Sequence, residues 1–81
     1  MNKVVLITGA SSGFGKATAE RLSKHGYTVY GTSRKEMSDN NIHFLIMDVR
    51  DRESINSGIK QIIDKQGRID VLVNNAGMGI G

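Results

Sequence analysis

Three glycines within eight residues are the first feature with chemical consequences. The stretch reads Thr8-Gly9-Ala10-Ser11-Ser12-Gly13-Phe14-Gly15. It follows an apolar, β-branched run and precedes a segment with helical patterning. A strand, a glycine turn and a helix N-terminus in that order can hold a phosphate-bearing ligand. Gly9 would permit the tight turn out of the strand. Gly13 would let a pyrophosphate approach backbone N–H groups, and Gly15 would let the helix pack close to the sheet. The first turn of the helix contributes free N–H donors and the positive end of its dipole. Ser11 and Ser12 add hydroxyl donors. Taken alone, the stretch serves equally well as a flexible loop ending in a serine N-cap.

The elements that must position this loop follow from the patterning. Residues 3–8 are continuously apolar after Lys3, as in a strand buried on both faces of a parallel sheet. Residues 16–25 read as a helix with Phe14, Ala17, Thr18 and Leu22 on one face, Lys24 and His25 in the last turn, and Gly26 as a left-handed cap. Strand two is expected over 27–32 and strand three over 43–47. The polar connection 33–42 is at the lower limit for a parallel crossover, about 10–12 residues, so one sheet face should be thinly covered. Asp51 reads as the N-cap of a second helix, whose Ile55, Ile59, Ile62 and Ile63 make an amphipathic stripe. Gly67 would close that helix, and strand four is expected over 69–74. The fold class is therefore α/β, a Rossmann-like doubly wound parallel sheet represented by its first four strands in the order β-α-β-β-α-β.

Composition bounds the alternatives. The chain has 81 residues, ten glycines, no proline and no cysteine. A length below about 100 residues limits it to one domain at most. The missing cysteines exclude a disulfide scaffold and a Cys-based zinc site, and they fit a reducing, cytoplasmic setting. Glycine stands well above its average of roughly 7%, and without proline it marks tight turns rather than a linker. Eleven basic and eight acidic residues leave a net charge of +3. The basic residues are scattered along the chain rather than clustered as a nucleic-acid face requires. No apolar run approaches the roughly 20 residues that span a membrane. His25 and His43 have no acidic partner near them in sequence, so no metal site is expected. Met37, Met47, Met78, Tyr27 and Tyr30 read as packing or loop residues.

The glycine spacing is Gly-x-x-x-Gly-x-Gly, preceded by Thr8. With Asn74-Asn75-Ala76-Gly77 at the end of strand four, it resembles the short-chain dehydrogenase/reductase family in its non-extended subtype. The resemblance covers the whole chain but only the N-terminal part of the family's pattern. It implies a dinucleotide-binding domain over residues 1–81, as a fragment of a longer oxidoreductase acting on a carbonyl or alcohol substrate. A spatial strand order of 3-2-1-4 would gather the loop at 9–15, residues 33–35, residues 48–49 and residues 74–77 on one sheet edge, where such folds bind ligands.

The cofactor should be NADP(H) rather than NAD(H). NAD-preferring relatives often carry Asp where Ser33 stands, and Arg34 and Lys35 follow it. A guanidinium binds a 2′-phosphate that an acid would repel. The alternative for Arg34 and Lys35 is a solvated turn. By resemblance, Asp48 would accept from the adenine amino group and Val49 would line the ring. Asp51 completes an Asp-x-x-Asp pattern, though it is equally an N-cap alone. Asn75, Ala76 and Gly77 would run along the cofactor, while Asn74 would steady the sheet.

The family's proton relay uses a Tyr-x-x-x-Lys pair. Here Gly31 stands four residues after Tyr27, and Arg34 four residues after Tyr30. No catalytic residue is therefore assigned within the chain, which by itself should be inactive. The open edge of strand four invites pairing, and a homo-oligomer is expected. Two other functions compete with an oxidoreductase. A non-catalytic dinucleotide-binding module would use the same residues. A P-loop nucleoside triphosphatase would need glycine at position 10 and Ser or Thr at position 17, and both are alanine.

Overall fold

Strand β1 (Val4–Thr8) is buried along its whole length, and its alternation divides the interior into two layers. Val5 and Ile7 point into one cluster with Ala10, Ala19, Val29 and Ile42. Val4 and Leu6 point into the other with Tyr30 and Ile62. A strand covered on both faces has no polar side to present, which is why its sequence is an unbroken apolar run. The structure is a computed structural model, and it describes residues 3–11 and 13–75.

The remaining elements are α1 (Gly13–Lys24), β2 (Thr28–Ser33), β3 (His43–Ile46), α2 (Arg52–Gln66) and β4 (Val71–Asn74). They form one four-stranded sheet in the order β3-β2-β1-β4. Every pairing is parallel, with Val5 opposite both Val29 and Val71, and Gly31 opposite Phe44. The expected α/β class and the 3-2-1-4 order are both present. The strand order reverses between β1 and β4, so the glycine turn after β1 and the segment after β4 leave the same sheet edge side by side.

Helix α1 begins at Gly13, three residues before the start read from propensity. Glycine is a poor helix former by about 1 kcal/mol, but here it is selected by contact. A Cβ on Gly15 would fall on the carbonyl oxygen of Gly9 and lie 2.7 Å from the Asn75 side-chain nitrogen. The buried face of α1 is correspondingly Gly15 and Ala19, with Leu22 partly covered. The expected face of Phe14, Ala17, Thr18 and Leu22 is displaced, and Phe14 is 84% exposed. Small residues bring this helix close to the sheet, and the large aromatic is left outside.

The helix ends as the sequence leads one to expect. Gly26 adopts φ +90°. Its N–H donates to the Ser23 carbonyl, and the Tyr27 N–H reaches back to Leu22, the paired bonds of a Schellman cap. In α2 the Asp51 carboxylate accepts from the Glu53 N–H at 3.0 Å, and Gly67 closes the last turn at φ +84°. Ile62 is the buried member of the isoleucine stripe, while Ile63 is 40% exposed.

No helix covers the connection between β2 and β3. Ile42 is buried in its place, and the Ser23 hydroxyl ties the segment to α1 by donating to the Asn41 carbonyl at 2.9 Å. None of the four residues of β3 is buried, so this edge of the sheet is thinly covered as expected. Among the described residues, no helix is long and apolar enough to cross a membrane.

Candidate functional site

The site is built outward from the turn at Gly9. This residue adopts φ +66°, a conformation that glycine reaches without steric cost. Its N–H donates to the Thr32 hydroxyl at 3.1 Å, and the Ala10 N–H donates to the Thr32 carbonyl at 2.9 Å. On the other side, the Asn75 side-chain amide donates to the Gly9 carbonyl at 3.1 Å. The turn is thus held between the ends of β2 and β4. One step earlier, the Thr8 hydroxyl donates to the Asn74 side-chain oxygen at 3.0 Å, which fixes β1 against β4 at the same level.

A cleft of about 400 Å³ opens at this edge. Six of the residues singled out from sequence line it: Gly9, Ser11, Ser33, Arg34, Val49 and Asn75. Three more were not singled out: Thr32, Met47 and Arg50. Thr32 is the last residue but one of β2 and carries the glycine turn. Met47 is buried and fills the space over Gly58, where a Cβ would meet the end of its side chain. Arg50 lies two residues beyond Asp48. The signal that finds it is topological: the segment after β3 leaves the sheet at the same edge as the glycine turn, whatever its composition.

The other expected residues are placed as follows. Gly13 and Gly15 shape the start of α1. Phe14 lies outside the cleft on the exposed side of that helix. Lys35 is exposed, and its backbone N–H donates to the Ser33 hydroxyl at 3.1 Å. Ser12, Ala76 and Gly77 lie outside the described residues.

Asp48 is engaged by its neighbour. Its carboxylate accepts from the Arg50 backbone N–H at 2.9 Å, from Nε at 3.1 Å and from Nη2 at 3.1 Å. The Arg50 side chain holds the Asp48 carboxyl below its ordinary range, followed by the Arg50 backbone N–H, with a smaller contribution from the Arg34 charge. The Asp48 backbone N–H donates to Ser54 on α2, so the position of this residue is fixed by main chain and side chain together.

This arrangement suits an elongated anionic ligand. Gly13 has φ +60°, and the space a Cβ would occupy there holds nothing within 4 Å, so a ligand oxygen can come close to the backbone. The N–H groups of the first helical turn have no intrahelical acceptor and carry the positive end of the α1 dipole. Arg34 and Arg50 are among the residues that line the cleft, and among the described residues no Asp or Glu lines it, although the Asp48 carboxylate is paired with Arg50. Among the described residues, no cluster of His, Asp or Glu is arranged to hold a metal ion.

Residues 3–81 match the family model described as short chain dehydrogenase. The chain belongs to the short-chain dehydrogenase family. A 3-ketodihydrosphingosine reductase of Bacteroides thetaiotaomicron is 55% identical over 80 residues, covering 98% of this chain and 30% of that protein. Ligand-free aldohexose dehydrogenase of Thermoplasma acidophilum superposes with a TM-score of 0.86 at 36% identity, over 91% of this chain and 29% of that one. ElxO with NADP bound gives a TM-score of 0.83 at 42% identity, over 93% and 35% of the two chains. This short-chain dehydrogenase sequence therefore spans about a third of the length of these relatives.

Proposed function

We propose that this chain is the dinucleotide-binding part of an NADP(H)-dependent oxidoreductase that interconverts a small-molecule carbonyl and its alcohol. The observation that carries the reading is the cleft that Gly9, Arg34 and Arg50 line, with no Asp or Glu lining it among the described residues. The pyrophosphate would lie at the start of α1 over Gly13. The adenosine ribose would lie against the end of β2, where Ser33 and Arg34 would take a 2′-phosphate, with Lys35 adding charge nearby. Val49 would line the adenine, with Asp48 beside it. Asn75 holds the turn and lines the path toward the nicotinamide, with Ala76 and Gly77 following it in sequence.

Once bound, the nicotinamide would accept or deliver the hydride. The task of this chain is to hold and orient the dinucleotide. A carbonyl/alcohol substrate is supported by the names of two relatives, a ketone reductase and an aldohexose dehydrogenase. The same reading includes a cytoplasmic setting, supported by the cysteine-free sequence, and a homo-oligomer.

The test is Arg34→Ala in the full-length protein, with Kd for NADPH and NADH measured by quenching of protein fluorescence or by calorimetry. A charge-assisted phosphate contact is worth roughly 1.5–3 kcal/mol, so the loss of one contact predicts a fall of about ten- to 150-fold for NADPH. NADH affinity should change far less. Equal losses for both would overturn the NADP(H) assignment.

A further inference from the structure

We infer that Arg50 is a second specificity-determining residue of the cleft, a guanidinium pre-oriented by Asp48 to share a 2′-phosphate with Arg34. The inference rests on the dinucleotide reading above and adds a residue to it. Arg34 follows β2 and Arg50 follows β3, and these are neighbouring strands that pair as far as Ser33 opposite Ile46. Their chain continuations leave the sheet side by side, and both residues line the same cleft.

The way Arg50 is held argues for a ligand rather than for stability. The guanidinium is planar and has five N–H donors. Asp48 accepts from Nε and from one N–H of Nη2, and three N–H groups remain. Its side chain is 72% exposed, opposite a carboxylate side chain that is 37% exposed. An ion pair this open contributes little to folding, but its two bonds to Asp48 favour one orientation of a long flexible side chain. Restricting a donor before a ligand arrives lowers the entropy lost when the ligand binds.

The charges are also consistent. Arg34, Asp48 and Arg50 together carry one net positive charge at the mouth of the cleft. Arg34 is near enough to Asp48 to act on its ionisation. A 2′-phosphate carries close to two negative charges above pH 7. It would compete with Asp48 for the guanidinium without displacing it, because the fork leaves donors to spare. A ligand with a free 2′-hydroxyl makes no comparable demand.

The experiment uses the full-length protein and reads binding rather than turnover. Kd values are measured by calorimetry for NADPH, NADH, and the fragments 2′,5′-ADP and 5′-AMP, with wild type, Arg50→Gln, Arg50→Lys and Arg34→Ala. Arg50→Gln should reduce the ratio of 2′-phosphorylated to unphosphorylated affinity about tenfold, the effect of one charged hydrogen bond. Arg50→Lys should fall between it and wild type, since lysine keeps the charge but loses the fork. If Arg50→Gln leaves the ratio unchanged while Arg34→Ala lowers it, the inference about Arg50 is overturned and the NADP(H) reading stands. If wild type does not favour the 2′-phosphorylated ligands, both are overturned.

Discussion

The Asn75 side chain donates to the carbonyl oxygen of Gly9 across 3.1 Å, and this bond joins the end of β4 to the turn that follows β1. The two residues are 66 positions apart in sequence. With Thr32 holding the N–H side of the same turn, Gly9 is fixed from both neighbouring strands. The glycine turn is thus a tripod whose legs are the ends of β1, β2 and β4, which explains how a glycine-rich segment can be held in one conformation.

Removing one leg should loosen the loop. Asn75→Ala leaves the Gly9 carbonyl without its side-chain donor in a partly buried site, at a cost of about 1–3 kcal/mol. The urea midpoint should fall, and the affinity for dinucleotide should fall with it. Asn75→Asp should be at least as damaging, because an ionised carboxylate cannot donate and would face a carbonyl oxygen. If both variants unfold at the wild-type midpoint, the tripod is not what holds the turn.

Two glycines of the loop should fail for different reasons. At Gly15 an added Cβ meets the Gly9 carbonyl and the Asn75 amide, and neither is the loose end of a flexible chain. Gly15→Ala should therefore cost about 1–3 kcal/mol through overpacking. At Gly13 the space is open but φ is +60°, so Gly13→Ala should cost about 1–2 kcal/mol through conformation alone. Gly13→Val also brings methyl groups to where the ligand would lie. It should abolish dinucleotide binding while the protein remains folded, as read by titration beside a denaturation curve. Unchanged affinity in that variant would remove Gly13 from the phosphate site.

How much of this was legible beforehand depends on what kind of signal each residue carries. Strand β1 and the glycine turn were legible because their determinants are local: an apolar run and residues able to adopt positive φ. Gly26, Gly67 and Asp51 were legible for the same reason. The face of α1 was not. A helical wheel ranks Phe14 above Gly15, yet the helix approaches the sheet so closely that only glycine and alanine fit. Arg50 was lost among scattered basic residues, because its meaning comes from the strand order and not from its neighbours. Thr32 looked like an ordinary strand residue, and its role depends on a partner 23 positions away.

Asp51 separates a cap from a ligand contact. Its carboxylate accepts from Glu53 at the start of α2, and it does not line the cleft. Asp51→Ala should lower stability by about 0.5–2 kcal/mol, the usual cost of losing an N-cap. The affinity for NADPH should stay within twofold of wild type. A tenfold loss of affinity at unchanged stability would instead make Asp51 part of the site.

Asp70 gives the acid limb of the stability curve. It precedes β4, and its carboxylate accepts from the Val4 N–H at 2.7 Å and from Arg68 Nε at 3.0 Å. The Asp70 N–H in turn donates to the Val4 carbonyl at 2.8 Å, so this one residue anchors the first residue of the central strand. The Val4 N–H is the larger cause of a carboxyl held below its ordinary value of 3.8, and Arg68 adds to it. A carboxyl with a lowered folded-state pKa binds fewer protons folded than unfolded near that pKa. Its stabilising contribution is therefore complete above the ordinary value and is lost as pH falls below 3.8 through the folded-state value. Asp48 is lowered in the same direction by Arg50, but that pair is too open to weigh on folding. Asp70→Asn removes the Asp70 titration. Its Tm at pH 7 should lie below that of wild type, and the two proteins should converge by pH 2–3. A constant gap across that range would show that the Asp70 contact stabilises by shape and not by charge.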